Sequence, residues 1–248
     1  MAVIPARFAA TRFPGKPLVP ILGVPMVVHV AARAREADCF HQVAVATDDE
    51  RIAGAARAAG VSVIMTGDAR NGTERVAQAA AVLEADVVVN VQGDEPALPP
   101  ENLAIVTRYL MAHPECPMAT LALPADERDL ADPNVVKVVC GADGRALYFS
   151  RAAIPYPRAA IPGLARRHVG VYGYQRSALL QLVAWPECEL ERAEGLEQLR
   201  ALHHGMGIQV LEAAGDSVAV DIPEDIPRAE EALRRLKGGG EWQPSTSS

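Results

Sequence analysis

QVAVATDDERIAGAARAAGVSVIMT, residues 42–66, decides how the chain folds. Val43 and Val45 alternate with small residues over 42–47, the pattern of a short strand, which stops at Asp48 and Asp49. ERIAGAARAAG (50–60) then carries apolar residues at helical spacing and closes on Gly60. VSVIMT (61–66) is a second strand. A strand, one helix and another strand in so short a stretch predict a right-handed crossover between parallel neighbours.

Working outward, the rhythm continues. AVIP (2–5) reads as a strand, PMVVHVAARAREAD (25–38) as a helix with Pro at its start, NGTERVAQAAAVLEA (71–85) as a turn and helix, and DVVVNVQGDEP (86–96) as a strand ending in acidic residues. The expectation is an α/β fold with a doubly wound, mostly parallel sheet. Its ligand loops lie along the edge where the strands end. Beyond residue 117 the pattern changes. MATLAL (118–123), NVVKVVCG (134–141) and RALYFSR (145–151) are strands at hairpin spacing, with Asp143-Gly144 as a tight turn. A Pro-rich loop, IPYPRAAIPG (154–163), precedes the strand HVGVYGY (168–174). SALLQLVAW and RAEGLEQLRALHH (192–204) read as helices, GIQVLEA and SVAVDIP (217–223) as late strands, and DIPRAEEALRRLK as a closing helix. One domain over 1–237 is expected, with a smaller antiparallel insertion at about 117–175; the tail 238–248 lacks periodicity and reads as disordered.

Composition narrows the function. Of the 248 residues, 24 are Lys or Arg and 31 are Asp or Glu, a net charge of −7 that argues against a nucleic-acid binder. No apolar run is long enough to span a bilayer and no signal peptide is visible. The four cysteines form no CxxC pair and fit a reducing, cytoplasmic setting.

Against that acidic background, ARFAATRFPGKPL (6–18) places Arg7, Arg12 and Lys16 in one loop after the first strand. It is not a Walker A loop, because Pro17 stands where Ser or Thr is required. A rigid, glycine-containing cationic loop at a strand end suits a polyphosphate. The alternative is a solvated loop with scattered cations. In VQGDEP (91–96), Asp94 follows an apolar strand and either holds Mg²⁺ or caps a helix. Asp221, in VAVDIPED, supplies a second hard oxygen at the end of another apolar run, although it could equally cap the last helix with Glu224 and Asp225. Two carboxylates and a cationic loop match metal-assisted phosphoryl or nucleotidyl transfer.

These segments, together with VATDDE, NGTERVA, VNVQGDEP, ALYFSRAAIPYPR, HVGVYGY and LEQLRAL, resemble the 3-deoxy-D-manno-octulosonate (Kdo) cytidylyltransferases, in family order from residue 2 to about 236. The resemblance implies a Rossmann-like nucleotidyltransferase fold with a dimerisation insertion. It also implies a homodimer, and activation of the sugar acid Kdo by CTP with release of pyrophosphate for lipopolysaccharide synthesis. It places Ala6, Arg7, Arg12 and Lys16 at the triphosphate and Gly72, Thr73 and Arg75 at cytosine and ribose. It places magnesium on Asp94 and Asp221, and Gln92, His168, Tyr172, Glu197 and Gln198 on the sugar-acid side. Lys16, Asp94, Asp221 and Arg7 would carry the chemistry. Ala10 departs from the usual Ser, and Phe13 from the usual Leu.

Read as residues alone, several of these have plainer roles. His168 could be a hydrogen-bonded sheet histidine, and Tyr172 an ordinary strand residue. Glu197 with Arg200 could be a surface ion pair, and Gln92 a group satisfying backbone. The rivals to Kdo activation are a cytidylyltransferase for sialic acid or 8-amino-Kdo and a CTP-binding sensor without catalysis. A sensor would more naturally have lost one metal carboxylate, and both are present.

Overall fold

A computed structural model describes residues 1–9, 13–156, 158–159, 161 and 163–236. Arg12 and the tail 238–248 lie outside them. The elements in chain order are β1 (Ala2–Ala6), β2 (Pro20–Ile21), β3 (Val24–Pro25), α1 (Met26–Glu36), β4 (Val43–Thr47), α2 (Glu50–Ala58), β5 (Ser62–Met65), α3 (Gly72–Ala81), β6 (Val87–Asn90) and α4 (Pro100–Ala112). There follow β7 (Met118–Pro124), α5 (Glu127–Ala131), β8 (Lys137–Cys140), β9 (Ala146–Ser150), β10 (Arg166–Gln175), α6 (Arg176–Ala184), α7 (Glu189–Glu194), α8 (Gln198–His203), β11 (Ile208–Glu212) and α9 (Ile226–Leu236).

One sheet runs in the order β11-β7-β10-β6-β1-β4-β5. The expected crossover at 42–66 is present: β4 pairs parallel with both β1 (Ala2↔Val43) and β5 (Ala44↔Ser62). β4 and β6 are buried along their whole length because helices cover both faces. Alternate residues of one strand enter different cores. Ala2, Ile4 and Ala6 pack with α1, α2 and α4, whereas Val3 packs with α3 and α6 on the opposite face.

The antiparallel strands of the second half are woven into this sheet. β10 lies between β6 and β7 and runs against both, with Tyr172 opposite Asn90 on one side and Thr120 on the other. β7 and β11 then pair parallel. Only the β8–β9 hairpin projects, touching the start of β10 at Arg166↔Val138. A separate two-stranded antiparallel sheet, β2–β3, sits beside α1.

Three expectations need correction. RAEGLEQLRALHH is two helices, α7 and α8, because Gly195 adopts φ 64° and breaks the run. SVAVDIP forms no strand: Val220 donates to Asp94 O at 2.9 Å and is buried against Ala97 and the α9 residues Ala229 and Leu233, outside any ladder. The helix that Asp94 could have capped is α4, which begins at Pro100 with Pro99 at the cap position, so Asp94 does not cap it.

Candidate active site

The ends of β1 and β6 build the centre. After Ala6 the chain leaves the sheet through Arg7, which is exposed, and returns when Gly15 N donates to Phe8 O at 2.9 Å. Lys16 then opens a single 3₁₀ turn pinned by buried Pro17. Beyond β6, Val91 N donates to Val3 O, so the chain tracks β1 as far as Gly93. A Cβ at Gly93 would stand 2.8 Å from Pro5 O, closer than a methyl group fits. That approach delivers Asp94 beside the first loop. Asp221 arrives through the Val220–Asp94 backbone bond and is turned by Asp225, whose Oδ2 accepts from Asp221 N (2.8 Å) and Ile222 N (3.1 Å). Asp225 thus shapes this turn as a cap, as its sequence position suggested.

Lys16 Nζ donates to Asp94 Oδ2 at 2.8 Å and to Asp221 Oδ1 at 3.3 Å. An ammonium therefore sits where two hard carboxylate oxygens converge. This donor set suits Mg²⁺, which takes one or two protein carboxylates and completes its shell with water and substrate phosphates. Among the described residues no group of three or more His, Cys, Asp or Glu forms a metal cage.

A cavity of about 340 Å³ opens beside this centre, lined by Ala6, Arg7, Lys16, Gly72, Arg75 and Gln92 among others. Asn71 caps α3 by accepting from Glu74 N at 2.9 Å, which sets Gly72 at the cavity and Thr73 and Arg75 in buried positions. Arg75 is only 3% exposed. It is held by Asp48 at 2.6 Å and by Thr66, partners supplied by the ends of β4 and β5 that the motif did not reveal.

A second cavity of about 420 Å³ takes in Arg151, His168, Tyr172 and Gln198. It shares Gly72, Gln92, Asp94, Glu197 and Asp221 with the first. The Lys16-bound carboxylates therefore stand in the partition between this second chamber and the first, basic one.

In that second chamber His168 Nε2 lies 2.9 Å from Thr120 Oγ1, and Thr120 gives its own proton to Val171 O at 2.7 Å. Nε2 must then carry the hydrogen. Enclosure by Phe149 and Tyr172 pushes the imidazole pKa down to about 3, so the ring is neutral. His168 is thus both hydrogen-bonded in the sheet and part of a cavity wall. Burial raises the Tyr172 phenol and the Glu197 carboxyl, the latter helped by Glu191. Glu197 is not paired with Arg200. Arg200 instead makes a buried pair with Glu191, Nε to Oε2 at 2.8 Å. Gln198 Nε2 is buried with no hydrogen-bond partner among the described residues. The Gln92 side chain makes no hydrogen bond to backbone among the described residues and lines both cavities.

One residue of this chamber, Arg151, was missed in the sequence, and Glu95, readable there only as a strand-end carboxylate beside Asp94, has a different setting. Glu95 is enclosed, and burial plus Asp94 push its carboxyl up to about 8. Arg151 reaches the chamber from the end of β9, with its guanidinium on the backbone oxygens of Glu194 (2.8 Å) and Pro133 (3.1 Å). As the last residue of the run RALYFSR, Arg151 reads from the sequence only as a strand end.

The family model described as "Cytidylyltransferase" matches residues 1–208. A 3-deoxy-manno-octulosonate cytidylyltransferase of Anaeromyxobacter sp. (strain Fw109-5) is 50% identical over 234 residues, covering 93% of this chain and 95% of that one. One from Syntrophotalea carbinolica is 47% identical, covering 95% and 98%. A solved structure of CMP:2-keto-3-deoxy-manno-octonic acid synthetase complexed with CTP superposes with a TM-score of 0.90 at 39% identity, covering 95% of this chain and 98% of that one.

Proposed function

The chain belongs to the cytidylyltransferase family, and from that premise we propose that it transfers CMP from CTP to Kdo, giving CMP-Kdo and pyrophosphate. The observation that carries this reading is the partition. Five residues, Gly72, Gln92, Asp94, Glu197 and Asp221, belong to both chambers, so a nucleotide in one and a sugar acid in the other would meet at the two carboxylates.

The basic chamber receives CTP. Arg7, Lys16 and Arg75 line it and offset the triphosphate charge, and the α3 N-terminus adds a further partial positive charge. Asp94 and Asp221 would hold magnesium, which neutralises phosphate charge and lowers the pKa of an attacking hydroxyl. The second chamber, the acceptor chamber, takes the sugar acid. Arg151 is its cation, and its guanidinium hydrogen bonds go to backbone carbonyls, so its charge remains for the substrate carboxylate. Gln198 offers an unpaired amide, and neutral His168 adds no charge that the bond-forming step would have to overcome. The anomeric oxygen attacks the α-phosphorus in line. The new O–P bond forms as the bond to the α–β bridging oxygen breaks, and pyrophosphate leaves with the charge. Lys16 and Arg7, positioned at the triphosphate, stabilise that developing charge.

The protein works as a homodimer in the cytoplasm, on the route to lipopolysaccharide. Exposed Tyr156 (85%), Ile161 (60%) and Leu147 (64%) on and beside the Pro-rich loop support the dimer. Four free cysteines support a reducing compartment.

A pyrophosphatase-coupled phosphate assay tests the activity. CTP should be preferred over other nucleoside triphosphates, and Kdo over 8-amino-Kdo and N-acetylneuraminate. Pyrophosphate release with another sugar acid but none with Kdo would discard the acceptor assignment.

A further inference from the structure

We infer that Glu194 and Lys137, neither of which reaches a substrate, are positioning residues that hold two walls of the acceptor chamber in register. The inference rests on reading that chamber as the sugar-acid side.

Glu194 grips the end of β9 three times. Its Oε1 accepts from Ser150 Oγ at 2.6 Å, its Oε2 from Arg151 N at 2.9 Å, and its backbone oxygen from Arg151 Nε at 2.8 Å. It is also the last residue of α7, directly before the left-handed Gly195 that turns Leu196, Glu197 and Gln198 into the chamber. One residue therefore ties the wall carrying Arg151 to the wall carrying Glu197 and Gln198.

Lys137 holds the other side of Arg151. Its side chain is fully buried, and Nζ gives its three protons to the backbone oxygens of Asp132 (2.9 Å), Val135 (2.6 Å) and Arg151 (2.5 Å). The Arg151 guanidinium reaches Pro133 O in the same loop, and Val136 lines the chamber. The Arg151 peptide is thus fixed on its N–H side by Glu194 and at its carbonyl by Lys137. Every one of these bonds ends on Ser150, Arg151 or the 132–135 loop, and none ends on a residue of the nucleotide chamber. A general stabilising role would not be confined in that way. Loosening the clasp should move the acceptor side more than the nucleotide side, which shares only Glu197 with the walls it ties.

The test is steady-state kinetics of Glu194→Gln, which keeps size but cannot accept from both Ser150 and Arg151, alongside Ser150→Ala, which removes one bond and is the milder change. Thermal unfolding is measured for each. The expected result is a rise in the KM for Kdo of about tenfold for Glu194→Gln and a smaller one for Ser150→Ala, with the KM for CTP within about a factor of two. Equal rises for both substrates, or a lowered unfolding midpoint with the KM for Kdo unchanged, would overturn the inference. Wild-type turnover with Kdo is the control. If it is absent, the acceptor assignment fails, and the same split is read with whichever sugar acid the wild type uses.

Discussion

Lys16 and Asp94, 78 residues apart in the chain, are joined by a 2.8 Å bond from the ammonium to Oδ2. The contact closes the first loop against the end of β6, and it puts a positive charge where a phosphate-bound metal would compete for the same oxygen.

Asp94→Asn should therefore keep the fold and lose the chemistry. The amide is nearly isosteric and Lys16 retains Asp221 as a partner. Turnover should fall by about a hundredfold or more, with an unchanged unfolding midpoint. Near-wild-type turnover at saturating magnesium would remove Asp94 from the metal site.

Lys16→Ala separates binding from stability. The side chain is 16% exposed and its pairs are partly solvated, so its removal should cost little in unfolding. The KM for CTP should rise about tenfold or more. A large drop in thermal midpoint with a normal KM would make Lys16 structural.

Glu95 and His168 should tilt the stability curve in opposite directions. The Glu95 carboxyl is raised from 4.5 to about 8, by burial first and Asp94 second. Below pH 4.5 folded and unfolded chains both hold its proton. Between 4.5 and about 8 only the folded chain does, so stability declines as pH rises, by about 1.4 kcal/mol per pH unit from this group. Urea unfolding of metal-free Glu95→Gln at pH 5 and pH 7.5 should show that decline removed, and an unaltered slope would mean that Glu95 is ionised in the fold.

His168 works from the acid side. Burial lowers its pKa from 6.5 to about 3, so between those values the unfolded chain takes up a proton that the folded chain refuses. The stability it contributes is complete above pH 6.5 and drains as pH falls, again by about 1.4 kcal/mol per unit. His168→Gln should be less acid-sensitive than wild type over pH 6.5 to 4.5; equal sensitivity would place a charged imidazole in the sheet.

Gly93→Ala probes the seam between β1 and the Asp94 segment. The added methyl must displace Pro5 O, since no flexible side chain is there to yield. Both substrates' turnover should drop while far-UV circular dichroism stays native. Normal kinetics would show that the seam relaxes without disturbing Asp94.

Much of this was legible from local pattern. The apolar runs of β1, β4 and β6 read correctly because they are buried on both faces and so nearly uninterrupted. The cations of the first loop stood out against an acidic chain. Other features depend on partners far away in sequence. HVGVYGY reads as a strand whichever way it runs, and only its neighbours β6 and β7 make it antiparallel. SVAVDIP alternates like a strand, but the edge it meets is Asp94 and α9 rather than a ladder. Glu95 and Arg151 look like ordinary charged residues until enclosure and backbone partners distinguish them. The α4 start was available in Pro99-Pro100, a first-turn proline signal, and was passed over.

Gly195 governs more than the end of a helix. Were the run 189–203 one continuous helix, Glu191 and Arg200, nine apart, would lie on opposite faces and could not pair. The left-handed step assigns Arg200 to Glu191, and leaves Glu197 facing the partition with no cation at ion-pair distance among the described residues. A single backbone torsion thereby decides which acidic side chain the arginine neutralises and which is left to face the reacting pair.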